Sequence, residues 1–325
     1  MEIHFAPLQG YTDAPYRRLH EQIWGGADAY YTPFVRIEGD GFRNKDLRDI
    51  SRTSNSSERV VPQMLPGTPD ELKRLTELFL REGYDRADIN LGCPFPMIAR
   101  RQRGAGIWSD TDKAEALLSS VALYPEMRFS LKMRLGWQTF DETRRLLPLL
   151  CELPLTHIAL HARLGVQQYK GVPDFESFSR FYEQCTLPLF YNGDLCTPEQ
   201  IDGIMARYPA LRGVMIGRGL LAAPWLASEY KNGVPLANEE RLNRLRLFHD
   251  ALCEEYRQSS QGEHQWLARI RTLWDYLLPD ADKRLRKPIV KATRIETYRL
   301  AVERLWENPV SYTHLRAHET AANLV

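Results

Sequence analysis

Cys93 lies in the stretch NLGCPFP (90–96), between Gly92 and Pro94 and three residues after Asn90. Glycine and proline punctuate the point where a strand hands over to a loop, so this thiol is presented at a strand tip. A thiol in that setting is an acid–base group or a nucleophile, and packing is the alternative. Other polar residues also close short apolar runs: Pro7 with Leu8 and Gln9, Arg36, Gln63, Lys132 with Arg134, His161, Asn192 with Gly193 and Asp194, and Gly217 with Arg218. Singly, each has a bland reading. A histidine at a strand end can be a satisfied core residue, a strand lysine can face solvent, and Asn-Gly can be only a turn.

The elements that must carry these residues are legible. Apolar runs recur at 3–7, 29–35, 60–65, 87–92, 129–136, 157–162, 188–194 and 213–219. Segments 70–83 and 112–124 carry leucines at three- and four-residue spacing, and 197–208 opens on a threonine cap followed by proline. Roughly eight strand–helix alternations over about 230 residues predict an α/β fold, a (β/α)8 TIM barrel. A doubly wound open sheet would need a glycine-rich turn after the first strand, and APLQGYTD (6–13) is not one. After NGVPLANEE (232–240) the pattern is helical throughout, which predicts a small all-helical C-terminal domain. The expected division is a catalytic barrel over 1–236, a helical domain over 237–309, and a non-native tail over 310–325.

In such a barrel, chemistry sits at the C-terminal ends of the strands, where all the residues named above fall. The glycine-bearing turns NGD (192–194) and GRG (217–219) expose backbone N–H groups where phosphate binds, and Arg218 adds a bidentate partner. Lys132 suits negative charge on a reduced flavin ring, and Gln63 and Asn90 suit its polar edge. A thiol facing that ring completes a reductase design, in which the flavin gives hydride and the protein gives a proton.

NLGCP (90–94), LKMRLGW (131–137), HARLGVQQYKG (161–171), YNGD (191–194) and VMIGRG (214–219) occur in the order and spacing of the tRNA-dihydrouridine synthases, which the chain resembles over about residues 3 to 307. A downstream GAG (104–106) strengthens the likeness. FVR (34–36) and ARIRTLWDYL (268–277) resemble the C-type subgroup, which acts on U16. The resemblance implies an FMN-dependent enzyme that reduces the C5–C6 bond of tRNA uridine with NADPH. By matching motif, Cys93 resembles the proton donor to C5. Pro7, Leu8, Gln9, Gln63, Lys132, His161, Asn192, Gly193, Asp194, Gly217 and Arg218 resemble FMN ligands. Asn90, Arg134 and Tyr169 would face the nucleotide, and Arg36, Arg269 and Arg271 would contact tRNA. Two departures stand out: Leu164 replaces a hydroxyl residue near the phosphate, and CPFPM (93–97) lacks a lysine that many members carry. The implied partners are tRNA and NADPH, with no metal, no membrane and a monomeric chain.

Composition bounds these readings. Of 325 residues, 43% are hydrophobic and 26% charged, which is ordinary for a globular protein, and the net charge of +1 carries no global cationic signal. The five cysteines lack paired metal or redox spacing, and no segment reads as a leader or membrane span, so a cytoplasmic protein is expected. A nucleic-acid site must therefore come from local clusters. RRQR (100–103) is one; 283–304 is another, with Lys283, Arg284, Arg286, Lys287, Lys291, Arg294, Arg299 and Arg304 against only Glu296 and Glu303. A flavin barrel acting on a free small molecule such as dihydroorotate stays open, as does a pure RNA-binding module. A Cys93–His161–Asn192 hydrolase is disfavoured, because Pro94 has no N–H for an oxyanion hole.

Overall fold

The computed structural model describes residues 1–55 and 57–308; the expected tail at 310–325 lies outside them. Its strands are β1 (Glu2–Phe5), β2 (Ala29–Tyr31), β3 (Ile37–Glu38), β4 (Gly41–Phe42), β5 (Val60–Val61), β6 (Gln63–Met64), β7 (Arg86–Leu91), β8 (Arg128–Arg134), β9 (Leu155–His161), β10 (Leu189–Asn192) and β11 (Gly213–Ile216). All but β3 and β4 join one parallel sheet in the order β5-β2-β1-β11-β10-β9-β8-β7-β6. Its two ends, β5 and β6, are one strand interrupted at Pro62, so the sheet closes into an eight-stranded barrel. Proline removes an N–H from the ladder, yet the Pro62 carbonyl still accepts from Asp88 N at 2.9 Å. The hairpin β3–β4, around Gly39 and Asp40, was not anticipated from the apolar periodicity.

Helices alternate with the strands. Thr68 caps the helix Pro69–Arg81 and Thr197 caps Pro198–Arg207, each accepting a backbone N–H three residues on, with proline at the first helical position. The segment 112–124 forms a helix only over Thr111–Ser119 and tightens into a 3₁₀ turn over Ser120–Leu123. Inside the barrel, the N-terminal half is plugged by aromatic side chains. His4 stacks on Phe190 with ring centroids 4.1 Å apart, and the Tyr31 hydroxyl bonds His4 at 3.1 Å and His157 at 3.0 Å. The plug leaves the interior open at the C-terminal ends of the strands.

The helices Asn238–Ser259, Glu263–Thr272, Lys283–Lys291 and Ile295–Trp306 follow the barrel. They are fastened to the first βα unit. Tyr256 donates to Asp13 at 2.9 Å, Tyr11 donates to Asp275 at 2.9 Å, and Phe248 meets Tyr16 edge-on. Among the described residues, no helix is long and apolar enough to cross a membrane.

Candidate active site

Successive side chains of a strand alternate between the two faces, so register sorts the inward-facing residues into layers. Gln63, Asp88 and Ser130 are paired neighbours in the lowest polar layer. Asn90 and Lys132 lie side by side one layer up. Arg134, His161 and Asn192 form the rim layer. Above them opens a cavity of about 590 Å³. Cys93, Pro7, Leu8, Gln9, Gln63, Lys132, His161, Asn192, Gly193, Asp194, Gly217 and Arg218 all line it, as do Arg36, Asn90, Arg134 and Tyr169. Arg269 and Arg271 do not line it. The Arg269 guanidinium instead binds Asp13 at 2.8 Å and Ser259 at 2.8 Å and lies over the Tyr256 ring.

The thiol loop is held through its backbone. Asn90 Oδ1 accepts the N–H groups of Gly92 and Cys93 at 3.0 and 2.9 Å, and the Cys93 carbonyl accepts from Ala105 N at 2.9 Å. Gly104 has a φ of +55°, and a Cβ there would stand 2.7 Å from the Cys93 carbonyl oxygen. Only glycine fits so close beneath the thiol-bearing residue. Farther along the loop, Arg103 pairs with Glu71, whose other carboxylate oxygen caps Gly67 N at 2.7 Å. Burial pushes the Cys93 thiol above its ordinary value, against the smaller pull of a Phe95 backbone hydrogen bond and then of Arg134, Lys132 and Arg36. The group is therefore a protonated thiol near neutrality, which is the state an acid needs.

The wall is strongly cationic. Among the described residues, Arg36, Arg43, Lys45, Lys132, Arg134 and Arg218 line the cavity with Asp194 as the one lining carboxylate, while Arg36 pairs with Glu38 and Arg43 with Asp46 outside the lining. Both Asp194 oxygens are engaged, one by Arg163 and the other by Arg218 at 2.6 Å. Burial and the Arg134 charge bring the Lys132 ammonium down to about 8. His161 falls well below its ordinary value through burial first and then the surrounding cations. Its imidazole is thus neutral, and because arginine can only donate, Nε2 accepts from Arg163 Nη1 at 3.2 Å and the proton sits on Nδ1. Arg134 is 1% exposed and fastens three backbone carbonyls: Gly92 at 3.0 Å, Leu164 at 3.0 Å and Gln168 at 2.6 Å. It joins the thiol loop to the loop bearing Tyr169, over whose ring both Arg134 and Arg218 lie.

Sequence reasoning missed Arg163, Asp88, Lys45 and Tyr276. Asp88 was findable, since it precedes Asn90 by two on one strand and so shares its inward face. Tyr276 lines the cavity from the helical segment and meets Tyr11 edge-on, which no local pattern signals.

The family model described as "Dihydrouridine synthase (Dus)" matches residues 4–274. A "tRNA-dihydrouridine(47) synthase [NAD(P)(+)]-like" protein of Xenopus tropicalis is 26% identical over 266 residues, covering 80% of this chain and 41% of the relative. Its Homo sapiens counterpart is 30% identical over 271 residues, covering 80% of this chain and 40% of the relative. The "tRNA-dihydrouridine synthase B" of Pasteurella multocida is 24% identical over 226 residues, covering 69% of this chain and 67% of the relative. The chain thus spans about two fifths of the position-47 relatives' length and about two thirds of the B-type relative's. The C-type subgroup expected from FVR and ARIRTLWDYL finds no support among these relatives. In fold, the chain is similar to the old yellow enzyme from Trypanosoma cruzi (TM-score 0.52, 11% identity, 76% of this chain and 93% of that one). Morphinone reductase is similar too (TM-score 0.50, 12% identity, 72% and 86%). A parallel barrel with its polar residues at one rim, the thiol loop between Asn90 and Gly104, and a match over residues 4–274 together make this chain a member of the dihydrouridine synthase family.

Proposed function

We propose that this protein reduces the C5–C6 bond of a uridine in tRNA to 5,6-dihydrouridine, using FMN and NADPH, with Cys93 as the proton donor. The observation that carries this reading is the placement of a protonated thiol beside a cationic cavity of cofactor size. The residues present fit the cofactor: the cationic surplus of the wall calls for a bound anion, which a phosphate or an anionic ring supplies. Gln63, Lys132, Asn192, His161 and Arg218 would hold FMN, together with Pro7, Leu8, Gln9, Gly193, Asp194 and Gly217. When bound and reduced, FMN supplies hydride to C6 of the base.

The chain's own residues account for the rest. Lys132 holds positive charge against the cofactor ring. Cys93 delivers its proton to C5, where water is scarce beneath a stacked base. Asn90, Arg134 and Tyr169 position the nucleotide, and Arg36 stands at the mouth of the cavity for the backbone beside it. Residues 1–236 form the catalytic part and 237–309 the tRNA-gripping part. In the latter, Lys283, Arg284, Lys287, Lys291, Arg294, Arg299 and Arg304 are exposed, which suits a polyanion lying across from the barrel. Arg271 belongs with this contact set, whereas Arg269 is committed to Asp13.

Dihydrouridine mapping on tRNA from cells with and without the gene tests the activity and fixes the position reduced. Unchanged maps, or a colourless protein without flavin absorbance, would refute the reading. Equal turnover of free uridine and tRNA would point instead to a small-molecule flavin reductase.

A further inference from the structure

Beneath the cavity lies a directed chain of buried hydrogen bonds. At its upper end stand the backbone N–H groups of Gly92 and Cys93, which can only donate, so Asn90 must turn Oδ1 toward them. That leaves Asn90 Nδ2 to donate to Gln63 Oε1 at 2.7 Å. Gln63 must then donate in turn, and Nε2 does so to Asp88 Oδ2 at 2.7 Å. Asp88 ends the chain as a pure acceptor, with Ser130 Oγ donating to its other oxygen at 2.7 Å. Gln63 and Asp88 are both 0% exposed, and Asn90 is 7% exposed. Reversing either amide would set N–H against N–H at its upper end and oxygen against oxygen at its lower end, in buried surroundings.

We propose that Asp88 is a positioning residue: as the terminal acceptor it fixes the polarity of the Gln63–Asn90 relay, and through it the pose of the Cys93 loop. The relay has a second consequence. Each amide spends one N–H within the chain and retains a second for the cavity that both side chains line, and Asn90 Oδ1 has both of its lone pairs taken. The wall at this point therefore offers donors, so it selects carbonyl edges of whatever ring lies against it. Burial raises Asp88 to about 6, while Ser130, Gln63 and the Lys132 charge favour its ionised form. The second consequence and the turnover test rest on the reading under Proposed function; the loop pose does not.

The discriminating variants are Asp88→Leu, which removes the acceptor, and Asp88→Asn, which keeps one. The asparagine can offer Oδ1 to Gln63 while its Nδ2 donates to Ser130, whose hydroxyl also accepts. The probe is iodoacetamide on the purified full chain, with Cys93 alkylation followed by peptide mass spectrometry. Asp88→Leu is expected to alkylate about tenfold faster than wild type, as one lost buried bond loosens the loop. Asp88→Asn is expected to stay within about twofold of wild type, because the relay survives. Turnover on tRNA should follow the same order, with kcat falling and KM unchanged. If Asp88→Leu fails to fold, Gln63→Met cuts the chain one link higher and should likewise speed alkylation. A Cys93 that stays protected in every variant lacking the relay overturns the proposal. So does an Asp88→Asn protein as reactive as Asp88→Leu, since charge or packing would then be the cause. Because alkylation needs neither tRNA nor reduction, a protein inactive on tRNA that still shows this order would refute the tRNA reading and leave the relay standing.

Discussion

Replacing Cys93 by alanine should remove a proton and little else. The loop is pinned chiefly by bonds to main-chain groups, from Cys93 N to Asn90, from Ala105 N to the Cys93 carbonyl and from Arg134 to the Gly92 carbonyl, while the sulfur engages the Phe95 backbone. Cys93→Ala should therefore keep the cavity's shape and cost about 1 kcal/mol of stability or less, for one truncated, half-buried atom. The chemical cost is larger. Because burial raises the thiol above its ordinary value, it stays protonated near neutrality and the wild-type protein is competent as an acid. Losing a general acid removes about a hundredfold to ten-thousandfold, or roughly 3–5 kcal/mol of barrier. The assay separates two half-reactions by rapid mixing. Flavin bleaching by NADPH should be unchanged, whereas its reoxidation by tRNA should slow at least about a hundredfold. The wild-type reoxidation rate should also fall at high pH as the thiol ionises, and that limb should be missing from Cys93→Ala. Reoxidation at the wild-type rate, or an unaltered alkaline limb, would refute the assignment.

Lys132→Met should lower flavin retention at pH 7 and abolish its decline through about pH 8, as followed by absorbance after gel filtration. The sign for stability runs the other way. Because the folded state depresses the Lys132 value from 10.5 to about 8, the buried ammonium weakens the fold fully below about pH 8, and that penalty is relieved as pH rises from there toward 10.5; the flavin-free methionine variant should thus melt no lower than wild type at pH 7. Gly104→Ala should cost about 2–4 kcal/mol in denaturant unfolding, from the positive φ and the clash with Cys93, and should slow turnover with it. Arg269→Ala should cost about 1–2 kcal/mol by loosening the helical segment from Asp13 and Tyr256, and leave the salt dependence of tRNA binding unchanged. A drop of about one unit in that log–log slope would make Arg269 a phosphate contact after all.

Much of this site is legible before folding because a barrel strand imposes a period of two and exposes its C-terminal end. Asn90, Lys132, Arg134, His161 and Asn192 each close an apolar run, and that pattern alone sends them to one rim. Glycine and proline around Cys93 likewise mark the loop, since backbone freedom and a missing N–H are properties of the residues themselves. What the sequence by itself determined is therefore which residues face inward and at which end. Which partners they meet is a matter of register between strands distant in the chain. The Asp88–Gln63 bond spans 25 residues, and Arg163 reaches Asp194 across 31. Tyr276 enters the cavity only because Tyr11, Tyr16 and Asp13 of the first βα unit dock the helical segment against the barrel. Arg269, which the resemblance put among the tRNA contacts, is set against Asp13 by that docking. Local patterning dictates the direction of a side chain, but hydrogen-bond polarity and charge pairing depend on what stands opposite, and only the closed barrel with its docked helices decides that.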